Sequence, residues 1–266
     1  MDGSDLIEIN ERGDPRIASF VSVRERDLTG GADGRFIVEG KVPLSILLER
    51  SRFEVESLFL CETRLDPLGP ILQQVPAEVP IYVAPQALMD GIVGFPIHRG
   101  VLACAKKGRA LSLDQILSAH PGAGRDLVQQ GPESPNKIPG QARDERQVLL
   151  VLNQISNHDN VGAAFRNAAA FGAHGVILDA GSCDPLYRKS IRVSSGASLW
   201  LPYHHGGSGL EHVTVLKQAG FTIWAMTPGE TAAPITALPV PDKLAILLGA
   251  EGPGLPPELI AASHPV

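Results

Sequence analysis

Short apolar runs alternate with longer segments of small and polar residues in the second half of the chain. The clearest run, Val148–Leu152, predicts a strand over residues 147–152, and residues 160–172 have the length and composition of a helix. Further strands are predicted at residues 175–179, 221–226 and 243–248, and further helices at residues 185–195 and 210–219. Because apolar strands alternate with helices, the pattern predicts a parallel sheet covered on both faces.

The first part of the chain shows the same alternation on a smaller scale. Strands are predicted at residues 36–40, 55–61, 79–83 and 100–105, and helices at residues 15–27, 42–50 and 85–89. Alternating elements of this kind predict a compact α/β unit of roughly 80 residues.

A polar stretch rich in proline and glycine separates the two parts at residues 121–146. This composition is typical of a linker or a surface insertion. The sequence therefore predicts an N-terminal extension with a small α/β domain over residues 1–120 and a parallel-sheet domain over residues 147–266. The expected fold class is α/β in both domains.

Composition and charge restrict the class of protein. Apolar residues make up 44% of the chain and charged residues 20%, which is ordinary for a protein with a buried core. The formal net charge of -6 argues against a general polyanion binder but leaves room for a local basic patch. Cys61, Cys104 and Cys183 form no CxxC pair, which predicts a reducing compartment and no structural zinc. His204 and His205 have no third ligand at metal spacing, so no metal site is expected.

The N-terminal sequence predicts the location of the protein. Met1–Leu6 is acidic and has no apolar core segment, so no signal peptide is expected. No apolar run approaches the ~20 residues that a membrane helix needs. We therefore expect a cytoplasmic protein that does not enter a membrane.

Arg166 is the only charged residue inside the predicted helix over residues 160–172. At helical spacing it shares a face with four small residues, Gly162, Ala163, Ala169 and Ala170. A guanidinium framed by small residues can be approached closely by a ligand or by another backbone. The alternative is an interface or core arginine that is paired with a carboxylate. Asp159 or Asn160 is predicted to cap this helix.

A second candidate segment is the glycine-rich turn that follows the last predicted strand. Residues 244–255 run from an apolar strand into a turn with three glycines and one acid, Glu251. Glycines let the backbone turn sharply and approach a ligand closely. The glycine order differs from the GxGxxG dinucleotide loop, and Pro253, Pro256 and Pro257 interrupt the helix that would receive a pyrophosphate. A small-molecule enzyme of the Rossmann type is therefore kept only as an alternative.

Taken together, the second half resembles the SpoU/TrmH family of RNA ribose 2′-O-methyltransferases. Three ordered motifs carry the resemblance, at Asn160–Arg166, Arg192–Ala197 and Leu247–Leu255. The first unit, from residues 34–40 to residues 100–103, resembles the small substrate-binding domain of many members, although that match is looser.

The resemblance implies both a fold and an activity. It implies a trefoil-knotted methyltransferase domain, an exception to the rule that chains do not thread loops. It also implies S-adenosylmethionine as methyl donor, ribosomal or transfer RNA as substrate, and a homodimer whose active site takes residues from both subunits. A third family motif is expected after residues 264–266, where this sequence stops. A catalytically silent RNA-binding protein with the same fold is therefore the alternative function.

The resemblance also implies roles for individual residues. Arg166 becomes the central catalytic residue, and since a guanidinium stays protonated, we expect it to grip the phosphate or the 2′-oxygen rather than to act as a base. Asn160 is expected to orient the loop and to bond Arg166 or the sugar. Glu251 is expected to fix the guanidinium or to bond backbone N–H groups in the glycine turn. The alternatives are a plain helix cap for Asn160 and a surface turn acid for Glu251.

Binding residues are expected at strand ends and in one basic cluster. The cofactor pocket is assigned to two neighbouring strand ends, with the candidates Met226, Thr227, Gly229, Leu248 and Gly249. RNA contact is assigned to the basic helix after residue 187, with the candidates Arg188, Lys189, Arg192 and Ser195. A solvated helix face is the alternative for this cluster, and residues 106–109 are a similar case.

Overall fold

The structure is a computed structural model that describes residues 6–21, 34–118, 146–229 and 232–266. The described strands are β1 (Leu6–Glu8), β2 (Arg35–Glu39), β3 (Val55–Cys61), β4 (Ile81–Ala84), β5 (Val101–Lys106), β6 (Gln147–Leu152), β7 (Gly175–Leu178), β8 (Tyr203–His205), β9 (Thr222–Ala225), β10 (Lys243–Leu248) and β11 (His264–Pro265). The described α-helices are α1 (Lys41–Arg50), α2 (Leu65–Leu72), α3 (Gln86–Val93), α4 (Leu113–Ser118), α5 (His158–Ala170), α6 (Arg188–Val193), α7 (Gly209–Gln218) and α8 (Pro257–Ala261).

The chain divides into two compact units, each of which takes two stretches of sequence. The first unit comprises Met1–Ala110 and Pro185–Trp200, and the second comprises Leu111–Asp184 and Leu201–Val266. Residues 121–145 of the predicted linker lie outside the described residues. The domain boundaries drawn from the sequence stay predictions.

A five-stranded mixed sheet forms the centre of the first unit. Its strand order is β1-β4-β3-β5-β2, with β4 parallel to β1 and β3, and β5 antiparallel to β3 and β2. The four predicted strands are confirmed, with ends displaced by at most two residues. The apolar residues of these strands form the buried centre of the unit. The side chains with no exposed surface include Leu58, Phe59, Leu60 and Leu102.

Helices of the first unit begin and end at residues with clear local roles. Helix α3 extends to Val93, beyond the predicted end at Met89, and stops at Gly94, whose φ of 88° is left-handed. The predicted helix over residues 15–27 is a short 3₁₀ helix at Pro15–Phe20, and residues 22–33 lie outside the described part of the chain.

The segment Pro185–Trp200 packs within the first unit through α6. The Arg188 guanidinium on α6 donates to the buried Glu39 carboxylate on β2 and lies 4.6 Å from the centre of the Phe95 ring. Gly196, with a φ of 84°, lies so close to Ile46 that a Cβ atom there would be 2.9 Å from its Cδ1. The helix is therefore fixed to this unit by an ion pair and by tight packing.

The second unit contains a six-stranded sheet in which every neighbouring pair is parallel. The strand order is β11-β9-β10-β6-β7-β8. This confirms the predicted parallel sheet and the predicted strands within it. Strands β8 and β11 are three and two residues long and had no recognisable pattern in the sequence.

One face of this sheet is buried in a large core, whereas the other face is only partly covered by the described residues. On one face, Leu149, Val151 and Leu247 belong to a large core with side chains from α4, α7 and α8. On the other face, α5 packs through Phe165, whose ring lies edge-on to Tyr203 at 5.6 Å. Beside α5 lies an apolar cavity of about 190 Å³, lined in part by Val148, Leu150, Ala164, Ile246 and Phe171. The side chain of Phe171 is 89% exposed.

Burial lowers the pKa of His212 on α7, and repulsion from His204 lowers it further. The side chain of His212 is 1% exposed. Because an unfolded histidine has a pKa of 6.5, the unfolded chain binds a proton at this site more readily than the folded chain does. The stability linked to His212 is therefore complete above the unfolded pKa and is lost as the pH falls below it.

We expect the free energy of unfolding to decrease between about pH 7.5 and about pH 5.5, and His212→Phe to make this decrease shallower. Denaturant unfolding at several pH values measures the slope. The matched control is His264→Phe at an exposed histidine, which should leave the slope as it is. An unaltered slope in His212→Phe would show that this histidine does not set the pH dependence.

Candidate functional site

The loop over residues 153–157 connects β6 to the helix that carries the first motif. Helix α5 begins at His158, and Asn157 is its cap, since its side chain accepts a hydrogen bond from the backbone N–H of Asp159 at 2.9 Å. The prediction that Asp159 or Asn160 caps the helix is therefore wrong. The helix starts earlier than the apolar pattern indicated, which places both residues in its first turn.

Asn160 is in contact with Glu251, although 91 residues separate them along the chain. The Asn160 Nδ2 atom donates to Glu251 Oε1 at 2.5 Å. The first and the last motif therefore meet directly. The expected contacts of Asn160 or Glu251 with Arg166 are not formed within the described part of the chain.

Arg166 lies on the same helix as Asn160 and is exposed. Six residues separate the two positions, which corresponds to about 9 Å along the helix axis and to different sides of the helix. The buried neighbours Phe165 and Ala168 hold this helix against the sheet. The side chain of Arg166 forms no hydrogen bond or ion pair with any described residue, so its guanidinium is available to an external anion.

The glycine turn after β10 is folded tightly enough to require glycine at its first position. A Cβ atom on Gly249 would lie 2.5 Å from the backbone carbon of Gly254. The turn closes through a hydrogen bond from Gly254 N to the Ala250 carbonyl oxygen at 3.0 Å. Glu251 lies within this turn and is exposed. Its hydrogen bond from Asn160 places its carboxylate beside the first turn of α5.

The residues expected to bind the cofactor lie at the ends of two adjacent strands. Leu247 of β10 is in register with Ala225 of β9, so Leu248 and Met226 follow neighbouring strand ends. Both side chains are half-buried. Thr227 donates its backbone N–H to the Val266 carbonyl at 3.0 Å. Gly249 belongs to the turn described above, and Gly229 is exposed next to residues 230–231, which are not described.

The residues expected to bind RNA lie on α6 and after it, in the first unit. Arg188 is 13% exposed and is paired with Glu39. Arg192 is 40% exposed, with an Nη1 atom 3.7 Å from the same carboxylate. Lys189 and Ser195 are exposed, and Ser195 has a left-handed φ of 53°. The charge of Arg188 is therefore satisfied within the unit, and Lys189, Arg192 and Ser195 are more exposed than Arg188.

Several residues that organise these sites were not predicted from the sequence. Glu39 sits in an apolar strand, and its pairing with α6 left no signal in the sequence. Asp179 and Ser182 form a buried hydrogen-bonded cluster next to residues 154–155. A polar residue directly after a buried strand, as at Asp179, is a signal that could have identified this cluster.

Neither a metal-binding cluster nor a membrane-spanning helix is found among the described residues. The described residues contain no group of three or more histidine, cysteine, aspartate or glutamate side chains placed to hold a metal ion. No helix in the described ranges has both the length and the apolar character needed to span a membrane.

Comparison with known proteins gives the same family for both the sequence and the fold. The model of the SpoU rRNA Methylase family matches residues 147–266. An uncharacterized tRNA/rRNA methyltransferase of Mycobacterium tuberculosis is 33% identical over 261 residues, which are 96% of this chain and 80% of that protein. The 23S rRNA (guanosine-2′-O-)-methyltransferase RlmB of Salmonella typhimurium is 25% identical over 82% of both chains.

Solved structures share the fold over almost the whole chain. The crystal structure of the AdoMet-bound rRNA methyltransferase from Sinorhizobium meliloti has a TM-score of 0.71 at 16% identity and covers 98% of this chain and 88% of that one. The SpoU methyltransferase AviRb from Streptomyces viridochromogenes, in complex with AdoMet, has a TM-score of 0.68 at 20% identity over 94% and 87% of the two chains. Together with the family match and the 33% identical relative, this similarity confirms the resemblance seen in the three motifs: the chain belongs to the SpoU rRNA methylase family.

Proposed function

We propose that this chain transfers a methyl group from S-adenosylmethionine to a ribose 2′-hydroxyl in ribosomal or transfer RNA. The observation that carries the proposal is the contact between Asn160 and Glu251, which joins two family motifs beside the helix that presents Arg166. Relatives named as 23S rRNA 2′-O-methyltransferases support the same reaction. No observation favours the catalytically silent alternative.

Arg166 binds the reacting sugar through its positively charged, planar guanidinium group. A guanidinium offers several N–H donors in one plane and binds a phosphate or an alkoxide oxygen with charge-assisted hydrogen bonds. It holds the 2′-oxygen in line and stabilises the negative charge that develops as the hydroxyl proton passes to solvent water, which reaches this exposed side chain. An arginine that is exposed and unpaired among the described residues can take this role without first breaking an ion pair.

Asn160 and Glu251 act by orientation. The hydrogen bond between them holds the glycine turn against the start of α5. Because α5 is a rigid helix, this contact also fixes the place from which Arg166 extends.

The strand ends with Met226, Thr227, Gly229, Leu248 and Gly249 hold the cofactor. S-adenosylmethionine supplies an electrophilic methyl group when it is bound. The half-buried side chains of Met226 and Leu248 offer apolar surface for a purine, and the turns that follow them offer backbone polar groups. The residues present therefore fit this cofactor, and AdoMet in the named neighbours supports the assignment.

RNA binds through phosphate contacts on α6 and through Arg166. Lys189 and Arg192 supply exposed cations, and Ser195 supplies a neutral donor. Arg188 contributes mainly by holding α6 on the first unit, because Glu39 already binds its guanidinium.

A second copy of the chain covers the open face beside α5, which makes the protein a homodimer. Phe171 is 89% exposed next to an apolar cavity. In a two-fold interface the same patch meets itself, so Phe171 of each copy can fill the cavity of the other. The trefoil knot and the cytoplasmic location stay predictions from the family resemblance and the sequence.

Arg166→Ala should lower kcat for methyl transfer by about 10²-fold or more, because a donor aimed at developing negative charge contributes that much. Transfer of labelled methyl groups to ribosomal and transfer RNA, followed by mass-spectrometric mapping of the methylated ribose, measures the loss and identifies the substrate. The control is Lys217→Ala, an exposed cation in the last turn of α7. Near-normal turnover by a folded Arg166→Ala protein would overturn the proposed role.

Gly249→Ala should weaken S-adenosylmethionine binding by at least about tenfold, because the added Cβ atom would overlap the backbone of Gly254 and open the turn. Titration calorimetry measures the affinity. Gly69→Ala is the matched control, since a Cβ atom there meets nothing within 4 Å. Unchanged affinity in Gly249→Ala would remove this turn from the cofactor site, and binding of NAD instead would favour the small-molecule alternative.

Phe171→Asp should convert the dimer to a monomer, with a dissociation constant raised by at least about tenfold, because it places a charge in an apolar interface. Light scattering after size-exclusion chromatography measures the mass. Val42→Asp, at another exposed apolar side chain, should leave the mass unchanged. A monomeric parent chain, or a dimeric Phe171→Asp variant, would contradict the assignment.

A further inference from the structure

Asp179 is a buried carboxyl group to which the proposed reaction gives no role. It follows β7 directly and is 5% exposed. Its Oδ1 atom accepts a hydrogen bond from the backbone N–H of Gln154 at 2.9 Å and another from the Ser182 hydroxyl at 2.6 Å. It forms no ion pair with any residue that the structure describes. A buried carboxyl group is unfavourable without such bonds. Its two partners therefore indicate that the role of Asp179 is to hold the loop that contains Gln154.

Ser182 carries the connection one residue further along the same loop. Its hydroxyl donates to Asp179 and accepts from the backbone N–H of Ile155 at 3.0 Å. Ser182 and Ile155 are 6% and 7% exposed, so these bonds are shielded from water. The hydroxyl therefore links the carboxyl group to a second backbone group of the loop.

Cys183 completes the set of contacts. Its backbone N–H donates to the Ile155 carbonyl at 2.9 Å, and its Sγ atom donates to the Ser156 carbonyl at 2.8 Å. Burial raises the pKa of the Cys183 thiol, which keeps the proton that this bond needs. Three consecutive residues, 154–156, are thus bonded to the turn over residues 179–183.

Gln154 has a backbone conformation that a side chain disfavours. Its φ of 58° lies in the left-handed region, which a non-glycine residue adopts about 5- to 30-fold less readily than its usual conformation. The bonds to the N–H groups of Gln154 and Ile155 hold the chain in this state. Backbone strain of this kind concentrates at functional sites, where the surrounding structure maintains it.

The strained loop leads straight into the candidate catalytic helix. Asn157, three residues after Gln154, caps α5, and Asn160 in its first turn bonds Glu251. We propose that Asp179 and Ser182 are positioning residues for methyl transfer: they fix residues 154–156 and so hold the start of α5, and Arg166 with it, in the orientation that the reaction needs. This inference rests on the proposed function.

Asp179→Ala is the direct test, because it removes the acceptor of both bonds. Without these bonds, only the minority of molecules in which Gln154 still adopts the left-handed conformation would be active. The penalty of that conformation corresponds to a fall in kcat of about 5- to 30-fold. The dissociation constant of S-adenosylmethionine should change by less than about twofold, because Asn153 keeps its hydrogen bond to the Leu248 carbonyl and the hydrogen bonds that hold residues 154–156 go to residues 179–183 rather than to predicted cofactor residues. Asp179→Asn keeps an acceptor oxygen and should retain most of the activity.

Two further substitutions test whether a lower kcat in Asp179→Ala comes from a misplaced loop or from a general loss of stability. Gln154→Gly makes the left-handed conformation easy to adopt, so adding it to Asp179→Ala should restore kcat severalfold. Ser208→Ala removes the hydroxyl that caps α7 in the same unit, and it should lower stability without lowering kcat. If Asp179→Ala does not fold, Ser182→Ala is measured with the same rescue and the same control.

The outcomes distinguish this inference from the function on which it depends. Absence of methyl transfer by the parent chain would overturn the proposed function and this inference with it. If the parent chain is active, an unchanged kcat in Asp179→Ala and Ser182→Ala would overturn the inference alone. So would an equal loss in Ser208→Ala, or a loss that Gln154→Gly does not reverse. A reduced kcat that the glycine restores, at constant cofactor affinity, supports it.

Discussion

The pairing of β6 with β10 is the constraint on which the candidate site depends. The two strands are parallel and in register over six residue pairs, from Gln147 opposite Lys243 to Leu152 opposite Leu248. Their carboxyl ends therefore lie side by side, and the loop after one strand begins beside the turn after the other. This is why Asn160 reaches Glu251 although most of the second unit separates them in sequence. A slip of one register position would move both loops and would reverse the faces of the apolar side chains.

The apolar pattern predicted the central strands well because large apolar side chains lie on both faces of these strands, with one face in the core and the other half-buried beside the cavity. Strands β6 and β10 were predicted at their observed limits, since a continuous run of large apolar residues has few other uses in a short segment. The short edge strands β8 and β11 could not be predicted, because two or three residues form no period. The start of α5 was placed too late because its first turn is polar, and polar residues at a helix start interact with the free N–H groups rather than with the core.

Two arginines show which part of a site can be predicted from a sequence. Arg166 and Arg188 both stood out as cations beside a family motif. Arg166 is exposed and has no described partner, whereas Arg188 is nearly buried against Glu39. Residue type predicts the chemistry that a side chain can perform, but only tertiary contacts determine whether its charge is already engaged. Glu39 lies in a strand 149 residues away, so no local pattern could indicate the pair.

Under the proposed function, the net charge of -6 places a further requirement on how RNA is recognised. A negative chain gains little from long-range attraction to a polyanion, so its affinity must come from contacts at short range. Charge-assisted bonds from a few exposed cations, such as Arg166, Lys189 and Arg192, meet this need only when their geometry is exact enough for each to reach an oxygen. A protein with a negative net charge therefore depends more on rigid positioning than a basic protein does. The buried bonds that hold residues 154–156 and the ion pair that holds α6 supply rigidity at two of these places.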